Sequence, residues 1–288
     1  MTETQITTSA ALYFACEQRE SVPLRWFDKA REFFAEHALS PILFLADGAG
    51  FVVDECYVLA DRGADIVDDE GCVLAARGGD LIRALRSGTV KSLGLDSPRS
   101  ISTGRSDWRA MVDVSLNDGV LYLGLDDDLI CDTTTVLRHA YEIMEGLFDV
   151  RYGIAYKSPL AEEPDCYASG YARYSLSETV EMIRSRGEWD YRQRSSDEFW
   201  RDELDGRRRH LTGLFRGAYP ASVLSESHVE MAGLRLRNVG ELSELDRALW
   251  LWELSESEMP VAQRMLEDRN ALISNVDDKM CDGPANSE

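Results

Sequence analysis

The segment Arg109–Leu125, RAMVDVSLNDGVLYLGL, decides the fold class of this 288-residue chain. Apolar and polar residues alternate from Ala110 to Leu116, as they do in a strand that buries one face. The sequence Asn117-Asp118-Gly119 follows, and these residue types tolerate the positive φ angles of a tight turn. A second apolar run then returns the chain along the first. The segment therefore predicts a β-hairpin.

Helices and strands mix irregularly on both sides of this hairpin. Strands are predicted at Ala11–Cys16, Pro41–Ala46, Val150–Tyr156 and Leu245–Leu254. Helices are predicted at Pro23–Ala38, after a start at Asp132-Thr133, from a capping box of Ser175 and Glu178, and after a cap at Ser257 with Pro260 in the first turn. Such a mixture with hairpins favours an α+β fold over a doubly wound parallel sheet. We expect an antiparallel or mixed sheet with helices packed against it.

The chain is predicted to form one globular unit over residues 10–274. The loop 158–169 contains Pro159 and Pro164 and is the best candidate for an internal boundary. Residues 275–288 are polar and acidic, and they predict a disordered tail.

Charge is the strongest indication of what the surface attracts. The chain has 52 Asp and Glu residues against 31 Lys and Arg, a net charge of -21. A surface of this sign repels nucleic acid and anionic lipid, so neither is an expected partner, and it attracts basic proteins. Two segments concentrate the carboxylates, Asp47–Glu70 and Asp126–Asp128. The predicted partner-contacting residues are Asp47, Asp54, Glu55, Asp65, Asp68, Asp69, Glu70, Asp126, Asp127 and Asp128.

The cysteine pattern and the start of the chain bear on the compartment. The 6 cysteines are scattered, without the paired spacing of a zinc site. The first ten residues lack the basic and apolar regions of a signal peptide. No apolar run approaches the roughly 20 residues needed to span a bilayer. We interpret the chain as a reduced, cytoplasmic protein and expect no metal and no cofactor.

Several short patterns approach catalytic motifs without completing them. Asp47-Gly-Ala-Gly50 lacks the third glycine of a phosphate-binding loop, and Tyr167-Ala-Ser-Gly170 lacks the first glycine of a nucleophile elbow. The arginines at 207–209 follow closely on three acidic residues that can neutralise them. Asp126–Asp128 stand at a strand end, where a solvated turn or partner contact is preferred to a metal site, because consecutive carboxylates point to opposite sides.

Two pairs of residues each leave two interpretations. His139 and Glu142 have the spacing of a carboxylate-bridged metal site, but such sites need matching residues on other helices. A surface ion pair is the preferred interpretation. Trp250 and Trp252 alternate on one face of a strand, where core packing is preferred to a ligand platform.

Two longer segments carry a resemblance to a known class of proteins. They are LWLWELSESEMPVAQRMLEDRNALI (Leu249–Ile273), a Trp-rich strand followed by a helix, and FDVRYGIAYKSP (Phe148–Pro159), which follows an amphipathic helix. With its acidity, the chain resembles bacterial immunity proteins of polymorphic-toxin and type VI secretion systems. The resemblance implies a non-catalytic protein that neutralises a co-encoded toxin by docking on its basic or active-site surface.

Two other functions stay open at this point. One is a metal-dependent or acid–base enzyme whose site is assembled from Asp126, Asp128, His139 and Glu142. The other is an adaptor subunit of a larger assembly.

Overall fold

The structure is a computed structural model that describes most of the chain. The described residues are 5–15, 22–39, 41–47, 53–60, 63–67, 73–75, 85, 90–98, 108–116, 118–159, 167–168, 176–177, 213–246 and 248–272. Outside them lie the predicted features at Asp68–Glu70, Ser169 and Arg207–Arg209, the capping-box residues Ser175 and Glu178, and the tail 275–288.

The described residues form twelve strands and four α-helices. The strands are β1 (Ile6–Ala15), β2 (Ile42–Asp47), β3 (Val53–Ala60), β4 (Gly63–Val67), β5 (Val73–Ala75), β6 (Val90–Pro98), β7 (Trp108–Ser115), β8 (Val120–Asp126), β9 (Asp149–Pro159), β10 (Ala221–Ser225), β11 (Glu241–Asp246) and β12 (Leu249–Glu253). The helices are α1 (Val22–Glu36), α2 (Thr133–Met144), α3 (Glu226–Ala232) and α4 (Met259–Asp268), with a 3-10 helix at Gly233–Asn238.

All twelve strands belong to one sheet with the order β11-β12-β10-β9-β1-β8-β7-β6-β2-β3-β4-β5. Every pair of neighbouring strands is antiparallel. The predicted α+β class with helices against an antiparallel sheet is therefore confirmed. Strands from both sides of the predicted boundary at 158–169, β9 and β10, pair in this sheet.

The hairpin predicted from Arg109–Leu125 is formed by β7 and β8. Ala110 pairs with Leu125, and Ser115 pairs with Val120 beside the turn. Gly119 has φ +66°, and its amide donates to the carbonyl oxygen of Ser115. The positive φ of Gly119 is therefore the conformation that the sequence predicted for this turn.

The first strand begins earlier than predicted, at Ile6 instead of Ala11. Thr7, Thr8 and Ser9 have no exposed surface, because β1 lies inside the sheet between β8 and β9. The hydroxyl of Thr7 lies 3.1 Å from that of Ser158, so burial of both is accompanied by a hydrogen bond. The prediction failed because these polar residues are not typical of a strand that is buried on both faces.

Alternating residues of the sheet supply two hydrophobic cores. On one face, Leu12, Leu123 and Val112 pack with Trp26 of α1 and Leu137 of α2. The opposite face is aromatic and packs against the C-terminal part of the chain; its buried residues include Tyr13, Tyr152, Tyr156, Phe215, Trp252, Met259 and Leu266. The sheet is therefore the middle of three layers.

Helix α2 connects β8 to β9, two parallel strands that lie on either side of β1. It begins as predicted, because Asp132 precedes it and its carboxylate accepts a hydrogen bond of 2.8 Å from the amide of Thr135. This capping fixes where the chain leaves the sheet. Strand β9 extends beyond the predicted Tyr156 to Pro159, so Ser158 and Pro159 are strand residues and not part of the predicted loop.

Two predictions near the C-terminus were wrong. Leu245–Leu254 is not one strand, since β11 ends at Asp246 and β12 begins at Leu249. Ser257 does not cap α4, because the N-cap residue is Glu258, whose side chain makes no capping hydrogen bond. The Glu258 carboxylate instead accepts hydrogen bonds from the hydroxyl and the amide of Ser255, at 2.6 and 2.9 Å. Pro260 lies in the first turn of α4, as predicted. Within the described residues, the helices are too short or too polar to cross a membrane.

Candidate partner-binding surface

The first group of predicted acidic residues lies on β2, β3 and β4. Asp47 is the last residue of β2, Asp54 and Glu55 lie near the start of β3, and Asp65 lies in β4. In the register, Glu55 is opposite Leu45, and Asp65 is opposite Val58 on one side and Ala75 on the other. Asp68, Asp69 and Glu70 lie outside the described residues.

The sheet separates these residues from Asp126–Asp128. Because neighbouring strands alternate in direction, the end of β8 shares a sheet edge with the start of β4, and Asp65 lies in the middle of β4. Asp47, Asp54 and Glu55 lie toward the opposite ends of their strands. Four strands lie between β8 and β4, so five inter-strand spacings of about 4.8 Å place the two roughly 24 Å apart. The predicted contact surface is therefore spread over the sheet, and its role in binding stays a prediction.

Asp126 is used inside the turn that ends β8. The residue is only 4% exposed. Its Oδ1 accepts a hydrogen bond of 3.3 Å from the amide of Asp128, and its carbonyl oxygen accepts one of 2.8 Å from the amide of Leu129. These bonds shape the turn, which leaves the Asp128 side chain exposed.

Asp127 joins three strands at the same end of the sheet. Its Oδ2 lies 2.9 Å from Nζ of Lys157 on β9, and its Oδ1 accepts a hydrogen bond of 2.5 Å from the hydroxyl of Thr8 on β1. Both members of the ion pair are about two-thirds buried or more. Of the three consecutive aspartates, Asp128 is thus the one whose carboxylate faces solvent.

His139 pairs with Glu142 at the surface, in agreement with the preferred interpretation. Its Nδ1 lies 3.1 Å from Oε2 of Glu142. The fold also brings in a residue that the sequence did not connect with it, His37, whose ring centroid is 5.4 Å from that of His139. Among the described residues there is no group of three or more His, Cys, Asp or Glu side chains arranged to hold a metal ion.

Strand β11 forms an acidic edge that was not predicted from the sequence. This strand is at one end of the sheet, and its charged residues Glu241, Glu244 and Asp246 are all exposed and acidic. Glu241 lies directly opposite Glu253 of β12, so two like charges share one cross-strand position. The local sequence ELSELD carries the acidity, but the edge position depends on the sheet order, which no local pattern reveals.

Hydrogen bonds tie this acidic edge to α2. The hydroxyl of Thr134 donates to Oε1 of Glu253 at 2.8 Å, and the hydroxyl of Tyr141 donates to Oδ2 of Asp246 at 2.9 Å. Burial, together with the nearby Asp246 carboxylate, raises the pKa of Tyr141 well above its ordinary value. The phenol therefore stays a donor to Asp246 at neutral pH, which holds the edge in place against the helix.

The tryptophans of β12 serve mainly the core, as preferred. Trp252 has no exposed surface, and its Nε1 donates to the carbonyl oxygen of Val239 at 2.8 Å. Trp250 is half-buried on the same face of the strand.

Comparison with known proteins finds only distant likeness. No protein-family model and no curated protein matches the chain. A T6SS protein of Pseudomonas aeruginosa is similar to it with a TM-score of 0.44 and 12% sequence identity, over 92% of this chain and 72% of that chain. A likeness this remote is not evidence of a shared function.

Proposed function

We propose that this protein is a non-catalytic acidic binding protein that neutralises a co-encoded toxin by docking on the toxin's basic or active-site surface. The net charge of -21 supports a cationic partner. Long-range attraction between opposite charges raises the rate of encounter, and carboxylates fit the basic clefts that bind nucleic acid or phosphate.

The observation that carries the proposal is the acidic edge of β11. Glu241 faces Glu253 across the strand pair, and Glu244, three residues along β11, is exposed on the opposite face of the strand. Like charges directly opposite each other in a sheet cost stability, by up to about 1 kcal/mol. A basic partner surface would remove that repulsion on binding. The repulsion between Glu241 and Glu253 in the free protein would therefore favour formation of the complex.

The acidic residues of the 47–70 segment are a second candidate surface in the same proposal. Asp65 is at a strand position in β4, and Asp68, Asp69 and Glu70 follow that strand in the sequence. Because β4 and β11 lie near opposite ends of the strand order, substitutions in one group can be tested without altering the other.

The test measures binding of the product of the neighbouring gene, after co-expression has established whether that product is toxic alone. Association rates are measured at 0.01 M and 0.15 M ionic strength, where the Debye length is about 30 Å and about 8 Å. We compare the parent with Glu241→Gln/Glu244→Gln and with Asp65→Asn/Asp68→Asn/Asp69→Asn/Glu70→Gln. The control is Asp28→Asn/Glu32→Gln, which removes two exposed charges of α1.

We expect the association rates of the variants to identify the surface that docks. Its variant should associate at least threefold more slowly than the parent at low salt and more nearly like it at high salt, since screening removes long-range attraction. The control should lose less than the variant of the docking surface. A harmless neighbour, or rates that are equal for both acidic variants and the control, would contradict the proposal.

A further inference from the structure

Two histidines from different helices meet at the surface where α1 and α2 pack. His37 follows the last residue of α1, and His139 lies in α2. Their ring centroids are 5.4 Å apart with an angle of 89° between the planes. Phe33 completes the group, with its ring 4.5 Å from that of His37 and 5.5 Å from that of His139.

Hydrogen bonds fix the same tautomer in both neutral rings. His37 Nδ1 lies 2.8 Å from the carbonyl oxygen of Phe33, and a carbonyl can only accept, so this nitrogen carries the proton. His139 Nδ1 lies 3.1 Å from the Glu142 carboxylate and donates in the same way. Each ring is then left with its lone pair on Nε2. A carbonyl or carboxylate on the second nitrogen is also the usual outer partner of a metal-binding histidine.

We propose that His37 and His139 bind one divalent transition-metal ion, such as Zn²⁺, through their Nε2 atoms. Metal–nitrogen bonds of about 2.1 Å at a tetrahedral angle place two imidazole centroids about 5 Å apart. The observed 5.4 Å is within reach of that separation. Imidazole suits zinc, copper and nickel, and water would complete the coordination of this two-ligand site.

The two helices are already held together beside this histidine pair. Nζ of Lys29 on α1 donates to the carbonyl oxygens of Glu142 and Glu145 at the end of α2, at 2.8 and 2.7 Å. The His139 side chain is 23% exposed and therefore lies partly at the solvent boundary. Because the two rings already lie close together, binding an ion costs less conformational entropy. The ion would link the end of α1 to the middle of α2.

The test is titration of the untagged full-length protein with ZnCl₂, followed by isothermal calorimetry and by thermal unfolding. We expect one ion per chain and a rise in Tm, because a ligand of the folded state stabilises it. His139→Ala and His37→Ala should each weaken binding at least tenfold. Glu142→Gln should weaken it by about 10-fold, which is the lower end of the usual effect of such outer partners.

The control is His210→Ala, which removes a histidine from another part of the sequence. It should bind Zn²⁺ like the parent. Glu142→Gln leaves both rings in place, so it remains informative if a histidine variant does not fold. Binding that is absent, or that is unchanged in Glu142→Gln or in a folded histidine variant, would overturn the proposal.

Discussion

Nζ of Lys157 lies 2.9 Å from Oδ2 of Asp127, and this ion pair connects the end of β8 to β9 across the start of β1. Both side chains are about two-thirds buried or more, so solvent screens the pair less than a surface pair. Asp127→Ala also removes the acceptor of the Thr8 hydroxyl. We expect a loss of about 1–2 kcal/mol in the free energy of unfolding, measured with urea. Asp128→Ala, the exposed neighbour, should stay within about 0.5 kcal/mol of the parent. Equal losses would mean that the pair contributes nothing.

Gly119→Ala should be far more damaging than Gly146→Ala. Both glycines have positive φ, +66° and +68°, so both substitutions carry the cost of that backbone conformation. A Cβ at Gly119 would lie 2.4 Å from the carbonyl oxygen of Phe14, whereas at Gly146 nothing lies within 4 Å. We expect a loss of about 1 kcal/mol at Gly146 and at least about 2 kcal/mol more at Gly119. Thermal unfolding of both variants measures the difference, and similar midpoints would be evidence against a rigid turn.

Glu258→Gln should lower the free energy of unfolding at neutral pH but not in acid. Hydrogen bonds from the side chain and amide of Ser255 hold the pKa of Glu258 below its ordinary value of 4.5. A depressed pKa means that the folded state favours the carboxylate, so its stabilisation is present above pH 4.5 and is lost as the pH falls through the folded pKa. The difference in unfolding free energy between parent and variant should therefore shrink below pH 4.5. Glu256→Gln, an exposed neighbour, serves as the control, and a difference that is constant with pH would refute the assignment.

Lys29→Met should loosen the contact between α1 and α2. The lysine donates to two carbonyl oxygens at the C-terminal end of α2, where the helix dipole favours a positive charge. We expect a loss of about 0.5–1 kcal/mol in urea unfolding, with faster amide exchange in the last turn of α2. Lys29→Arg keeps a cationic donor and should recover part of the loss. If the methionine variant matches the parent in both measurements, Lys29 does not stabilise the helix end.

Local chemistry made part of this fold predictable from sequence. The Asn117-Asp118-Gly119 turn and the cap at Asp132 act within a few residues, so the hairpin and the start of α2 were correctly placed. Helix α1 was also placed within two residues at each end. In these elements the periodicity of the side chains and the local hydrogen bonds agree.

Long-range relationships could not be predicted in this way. Thr7 and Thr8 look like a polar terminus until β8 and β9 enclose them. The acidity of Glu241 and Glu244 is visible in the sequence, but the edge on which they lie depends on which strand ends the sheet. His37 and His139 come together because two helices share one face of the sheet, and 101 residues of chain separate them. The candidate sites depend on such pairings, which is why the sequence indicated the charge but not its arrangement.

The position of β1 has a consequence for how the chain is made. The strand precedes both of its flanking strands in the sequence, and the hydroxyl contact between Thr7 and Ser158 joins positions 151 residues apart. At about 5–20 residues per second, synthesis of the intervening chain takes roughly 8–30 s. Strand β1 therefore remains unpaired on one side until β9 has been synthesised, long after β1 itself.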